Sequence, residues 1–224
     1  VLASFPRTEN EVKRHLAEYY AMISHLDHQL GRVIKTVEER GELDNTIFIF
    51  AGDNGLALGQ HGLFGKQNCY DHSVRVPLIF AGPGIPRDEK SDAFVYLFDI
   101  FATICELVDI DTPKTAEGIS LVSAMHDKSI SVRDTLYFAY CEMHRAVKTK
   151  RFKLIEYVID NKHVRSQLFD MDNDPWELKD LSSKPDYADT VSSLREQMID
   201  FSHEWNDRDS EVGQSFWSGY EKST

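Results

Sequence analysis

The stretch that most constrains this chain is the apolar run Ile47-Phe48-Ile49-Phe50-Ala51, broken abruptly by Gly52-Asp53-Asn54-Gly55. A short run of β-formers bounded by polar and glycine-containing segments predicts a strand over residues 47–50, buried on both faces. Residues 76–80 predict a second strand, closing on Ala81-Gly82-Pro83-Gly84. Ligands of open α/β sheets collect beyond the carboxyl ends of the strands. There Asp53 and Asn54 offer two hard oxygen donors, suited to calcium or magnesium rather than zinc. Asp53-Asn54-Gly55 also makes an ordinary turn, because all three residues tolerate φ > 0. Gly59, Gly62 and Gly65 let the following loop pass close to a ligand. Lys66 ends it with a flexible cation able to meet an oxyanion, the plain alternative being a solvated surface lysine.

Upstream, Thr8 followed by Glu11 has the form of a capping box, and Val12, Leu16, Tyr19, Ile23, Leu26, Leu30, Val33 and Val37 recur every three or four residues. This spacing predicts one long amphipathic helix ending near Gly41. His25 and His28 could share a face of it, but no carboxylate pattern completes a metal site, so they read as solvated or packed. Downstream, residues 94–97 read as a short strand and Asp99 as the N-cap of a helix running through Ile104 to Val108. The alternation predicts α/β architecture with a largely parallel sheet.

After Asp111-Thr112-Pro113 the texture shifts. Residues 135–141, 145–149, 152–157 and 167–169 read as strands joined by turns at Lys150-Arg151 and Asp160-Asn161-Lys162, which implies antiparallel hairpins. One last helix is predicted from about Tyr187 to Trp205, with Val191, Leu194, Met198, Phe201 and Trp205 on one face. Two parts follow: residues 1–130 as an α/β part and residues 131–224 as a small antiparallel sheet with one helix.

At 224 residues the chain is long enough to bury a core. No apolar run approaches the roughly 20 residues needed to span a bilayer, so no membrane-embedded part is predicted. The net charge of −12, with no basic patch to offset it, argues against nucleic acid as a partner. An anionic substrate would have to be received by local cations or a metal. Cys69, Cys105 and Cys141 lie far apart, without disulfide-framework or zinc spacing. The N-terminus, Val1-Leu2-Ala3-Ser4-Phe5-Pro6, has none of the features of a signal peptide and reads as mid-protein sequence.

Tyr19-Tyr20-Ala21-Met22-Ile23-Ser24, Leu26-Asp27, Gly31-Arg32-Val33, Asp53-Asn54-Gly55, Gly62, Gly65-Lys66, Arg75-Val76-Pro77-Leu78-Ile79 and Gly82-Pro83-Gly84 together resemble the sulfatases of the alkaline phosphatase superfamily. Arg145-Ala146-Val147-Lys148-Thr149, Phe152-Lys153-Leu154-Ile155 and Leu168-Phe169-Asp170-Met171-Asp172-Asn173-Asp174-Pro175 with Glu177 are similar to the C-terminal subdomain of the same enzymes. The resemblance implies the C-terminal part of an alkaline-phosphatase-like mixed sheet flanked by helices, plus a small antiparallel subdomain. It implies that Asp53 and Asn54 bind calcium and that Lys66 contacts the sulfate and the oxygen bridging to the leaving group. His61 is a further substrate-binding candidate, loop stabilisation being the alternative, and Arg75 is expected to tie the loop to the sheet. A sulfated small molecule or glycan is the implied substrate, and many bacterial relatives are exported.

The chain also departs from the family. The nucleophile there is a formylglycine made from cysteine in a Cys-x-Pro/Ala-x-Arg signature, and none of the three cysteines stands in one. The paired aspartates that complete the calcium site are also missing, so the expectation is a C-terminal part that hydrolyses nothing alone. Unpaired strand edges in such a fragment would favour self-association. Two other readings stand: a phosphodiesterase or phosphonate monoester hydrolase of the same superfamily, and a non-catalytic binding module. Asn54 leans toward a sulfatase, since the phosphate-processing relatives more often carry histidine there.

Overall fold

A computed structural model describes residues 3–222. In chain order the elements are α1 (Glu9–Glu39), β1 (Phe48–Ala51), β2 (Ala57–Leu58), β3 (Phe64–Gly65), α2 (Asp71–Val74), β4 (Leu78–Ala81), α3 (Asp99–Leu107), α4 (Val122–His126), β5 (Thr135–Tyr140), β6 (His144–Thr149), β7 (Phe152–Ile159), β8 (Lys162–Asp170), α5 (Ala188–Glu204) and α6 (Glu211–Glu221). They form two compact units. The first runs through Lys66 and resumes over Arg75–Val132; the second comprises Gln67–Val74 and everything from Arg133 onward.

In the first unit α1 begins and ends where its sequence dictates. The Thr8 side chain accepts from the Glu11 amide and the Glu11 carboxylate accepts from the Thr8 amide, closing the capping box. At the other end Gly41, at φ +70°, sends its amide to Glu38, and Glu42 sends its own to Val37, the paired bonds of a Schellman stop. None of its residues is fully buried, and Ile23, Leu26 and Val33 on the predicted apolar face are exposed.

Strands β1 and β4 pair antiparallel, from Phe48 opposite Ala81 to Ala51 opposite Leu78, which overturns the parallel sheet expected here. A parallel pair needs a crossover, usually a helix; between these strands lie only the β2–β3 hairpin and the single turn of α2. Strand β1 is half-buried at Phe48 and Ile49 and exposed at Phe50 and Ala51, so the burial expected on both faces is absent. Residues 94–97 form no strand but lead into α3. Asp99 is that helix's first residue rather than its cap. Its buried carboxylate reaches back to the Tyr96 amide at 2.7 Å and across to the Ile119 amide at 2.9 Å, stapling two loops to the helix.

The second unit is a four-stranded antiparallel meander, β5-β6-β7-β8, as the hairpin spacing predicts. Strand β8 starts five residues earlier than its apolar residues suggest, because its first half, from Lys162 to Arg165, is polar or exposed. One sheet face carries Tyr137, Val147, Leu154, Val158 and Leu168, packed on Val191, Leu194 and Met198 of α5. The same core receives Phe216, Trp217 and Tyr220 from α6, so the sheet is covered by two helices where one was expected. Gly213 and Gly219 disguise α6 in the sequence. They are there for close approach: a Cβ at Gly213 would strike the Asp207 carbonyl, and one at Gly219 would come within 2.7 Å of Val158 and Asn161. Asp207 binds this corner together, accepting from Tyr137, from the buried Arg145 and from Trp217 at 2.7–2.9 Å. Among the described residues, no helix is long and apolar enough to cross a membrane.

Candidate functional site

The predicted site residues gather in the first unit, where β1 gives way to a turn and a hairpin. The Gly52 amide donates to the Pro77 carbonyl at 3.2 Å, which closes the end of β1 on the approach to β4. The Asn54 amide then donates to Asp53 Oδ1 at 2.8 Å. That bond, the Asn54 side chain and the charge of Lys66, in descending order, hold the Asp53 carboxyl below its usual range. Lys66 Nζ lies 3.9 Å from Asp53 Oδ2, with the two side chains 50% and 88% exposed. An ion pair so exposed contributes little stability; its interest lies in what it brings together.

Lys66 follows the hairpin β2–β3, in which Ala57 faces Gly65 and Leu58 faces Phe64. The tip closes by local bonds: Gly59 amide to Leu63 carbonyl, Gly62 amide to Gly59 carbonyl, and Leu58 amide to Gln60 Oε1. Gly59 has φ +110°, and the place a Cβ would take is filled by Val12 of α1. His61 sits at the tip with φ +54°. The structure thus brings Lys66 to Asp53 and its neighbour Asn54, and puts His61 at the far end of the hairpin. Arg75 is exposed.

Asp53 and Asn54 match a hard cation in donor type. They fall short in number, since calcium takes six to eight oxygens. Among the described residues no group of three or more histidine, cysteine, aspartate or glutamate side chains could hold a metal. The three cysteines are free thiols. Burial pushes the Cys69 thiol up to about 12, so it is no nucleophile.

Sequence reasoning missed a charged cluster in the second unit. Lys148 and Lys153 face each other across β6 and β7, like charges that would repel unless an anion stood between them. Asp71 is that anion: Lys148 Nζ reaches it at 2.7 Å and Lys153 Nζ at 2.6 Å. Lys153, fully buried, also donates to Glu177 at 2.6 Å, and Glu177 accepts the Asp71 amide at 2.7 Å. Burial alone would raise the Asp71 carboxyl, but the two ammonium groups outweigh it and hold it below its usual range. The facing lysines were a usable signal, once the hairpin register was known.

His144 lies at the other end of β6, its ring edge-on to Tyr157 at 4.6 Å and its Nδ1 buried without a hydrogen-bond partner. Burial, with Arg145 adding to it, lowers its pKa from 6.5 to about 4. The folded state therefore favours the neutral ring, and the unfolded chain binds the proton first. The stabilisation is present above pH 6.5 and is lost as pH falls from there through about 4. Urea titrations across that window should show a loss of about 1–2 kcal/mol, after allowance for partial solvent contact. The His144→Phe variant should lose that part of the slope, and an unchanged slope would remove His144 as its source.

Comparison with known proteins supplies the family. The model described as N-sulphoglucosamine sulphohydrolase, C-terminal, matches residues 59–204, and the model described as Sulfatase matches residues 2–110. A curated relative named arylsulfatase, from Clostridium perfringens, is 32% identical over 195 residues, covering 84% of this chain and 40% of the relative. A solved structure described as a complex with its substrate, D-glucosamine-2-N,6-O-disulfate, superposes with a TM-score of 0.83 at 26% identity, covering 95% of this chain and 44% of that one. The phosphonate monoester hydrolase of Agrobacterium radiobacter shares the fold, with a TM-score of 0.78 at 24% identity over 89% of this chain and 43% of that one. The chain thus spans well under half the length of the curated relatives it matches. The two family models overlap over residues 59–110 and between them match residues 2–204, and the chain belongs to the sulfatase family and corresponds to the C-terminal portion of its members.

Proposed function

We propose that the complete protein hydrolyses a sulfate ester to an alcohol and sulfate, with this chain supplying the leaving-group side of the active site. The observation that carries the reading is Lys66 held 3.9 Å from Asp53 beside Asn54, at the carboxyl end of β1. As the S–O bond breaks, negative charge develops on the bridging oxygen, and the Lys66 ammonium is placed to stabilise it. Asp53 and Asn54 supply two of the oxygens that would hold calcium, and a bound cation there would neutralise sulfate charge. The remaining ligands and the nucleophile belong to the portion of the family that this chain does not match. For His61 the left-handed backbone at the hairpin tip supports the loop-shaping role over contact with substrate.

In this reading residues 1–130 are the later part of the catalytic α/β domain and residues 131–224 its antiparallel C-terminal subdomain. The exposed apolar side chains of α1, β1, β4 and α3, among them Ile23, Phe50, Ile79 and Phe101, support further strands and helices covering the first unit in the complete domain. The same surfaces would drive the isolated chain to self-associate. A sulfated sugar is the substrate class we favour, by analogy with the solved neighbour described in complex with D-glucosamine-2-N,6-O-disulfate.

The test is an assay of aryl sulfate and phenylphosphonate hydrolysis by the 224-residue chain and by the complete protein, each with and without calcium. The chain alone should turn over neither ester, and the complete protein should prefer the sulfate and need the metal. Sulfatase turnover by the isolated chain would overturn the division of labour, while a preference for phosphonate would move the assignment to the hydrolase whose fold it shares.

A further inference from the structure

The hairpin that leads to Lys66 has only two residues in each strand, too little pairing to hold a shape unaided. Its order has to come from what it packs on, and within the first unit that is the start of α1. Arg7, just ahead of the helix cap, donates from Nη1 to the Gly62 carbonyl at the hairpin tip. Its guanidinium lies 4.3 Å from the ring centroid of Phe5 and 5.3 Å from that of Phe64 in β3. Its Nε is buried without a hydrogen-bond partner, so the side chain gives up part of its hydration to stand there. Two contacts from α1 itself act on the same hairpin. The His15 ring meets Phe64 edge-on at 5.2 Å, and Val12 occupies the side-chain space of Gly59, where a Cβ would come within 2.7 Å of it.

We infer that Arg7 is a positioning residue: it clamps the β2–β3 hairpin on the first turns of α1 and thereby holds Lys66 at Asp53. The clamp uses three properties of the side chain together: a charge-assisted bond to a backbone carbonyl, a planar face against two rings, and a location outside the helix. Arginine combines them and lysine does not, because an ammonium offers one point of charge and no plane. Only the catalytic consequence rests on the reading of Lys66 as the leaving-group cation. The mechanical part stands on the contacts alone.

The experiment is amide exchange and ¹⁵N relaxation on the complete protein with Arg7→Ala, Arg7→Lys and Gly59→Ala. In Arg7→Ala the amides of Gly59, Gly62 and Leu63 should exchange about tenfold faster, with those of the β5–β8 sheet unchanged. The Lys66 amide order parameter should fall from about 0.85 toward 0.6 or below, and Arg7→Lys should recover only part of it. Gly59→Ala, which drives the hairpin off Val12 with Arg7 intact, should loosen Lys66 in the same way. Unchanged exchange and an unchanged order parameter in Arg7→Ala would overturn the clamp. In the complete protein Arg7→Ala should lower kcat for an aryl sulfate about tenfold at constant KM. A loosened hairpin with unchanged kcat would overturn the positioning role. A complete protein that hydrolyses no sulfate ester would instead sink the reading of Lys66, and the exchange data would still decide the clamp.

Discussion

Replacing Lys153 by methionine is expected to destabilise the second unit by about 3–5 kcal/mol, the cost of leaving a buried charge without its partner. The ammonium is completely buried and serves Asp71 and Glu177 at once, each at 2.6 Å. The cluster holds two cations, Lys148 and Lys153, and two anions, Asp71 and Glu177. Removing one cation leaves an uncompensated negative charge with no water to receive it. Lys148 keeps its bonds to Asp71, so the excess charge falls on Glu177, whose remaining contact is the Asp71 amide. Adding Glu177→Gln to Lys153→Met should therefore recover part of the loss, because it removes that excess. All three tryptophans, Trp176, Trp205 and Trp217, lie in the second unit, so denaturant titrations followed by tryptophan fluorescence report it specifically. A double variant no more stable than the single one would mean that packing, not charge balance, sets the cost.

Lys66→Ala in the complete protein is expected to lower kcat about 10²–10³-fold, the usual cost of removing one group that stabilises developing charge. The half-exposed side chain contributes little to folding, so stability should change by less than about 0.5 kcal/mol. The informative variable is the leaving group. If the ammonium stabilises the bridging oxygen, the loss should be small for a nitrophenyl sulfate, whose phenolate departs readily, and large for an alkyl or sugar sulfate. A loss that stays constant across that series would assign Lys66 to binding the sulfate rather than to departure of the alcohol. KM should change less than kcat, because the charge it meets is greatest in the transition state.

The sequence by itself determined the elements whose cause is local. The capping box at Thr8 and the stop at Gly41 fix α1, the turn at Asp160-Asn161 fixes the β7–β8 hairpin, and the Gly52–Gly55 break places Asp53 and Asn54 after a strand. Each depends on backbone preferences and neighbouring side chains, which travel with the sequence. Tertiary structure alone decided the rest. Strand β4 could be read as a strand, but its antiparallel direction beside β1 depends on the path between them. Asp99 reads as a cap because aspartate is favoured there, and its role as a staple is not legible because one partner, the Ile119 amide, lies 20 residues away. Helix α6 was invisible because Gly213 and Gly219 lower helix propensity by roughly 1 kcal/mol each, and only the close approach of Asp207, Asn161 and Val158 makes glycine the residue that fits. The buried cluster around Lys153 escaped for the same reason: Asp71 precedes it by 82 residues, and no periodicity links a charge to a partner that far along the chain.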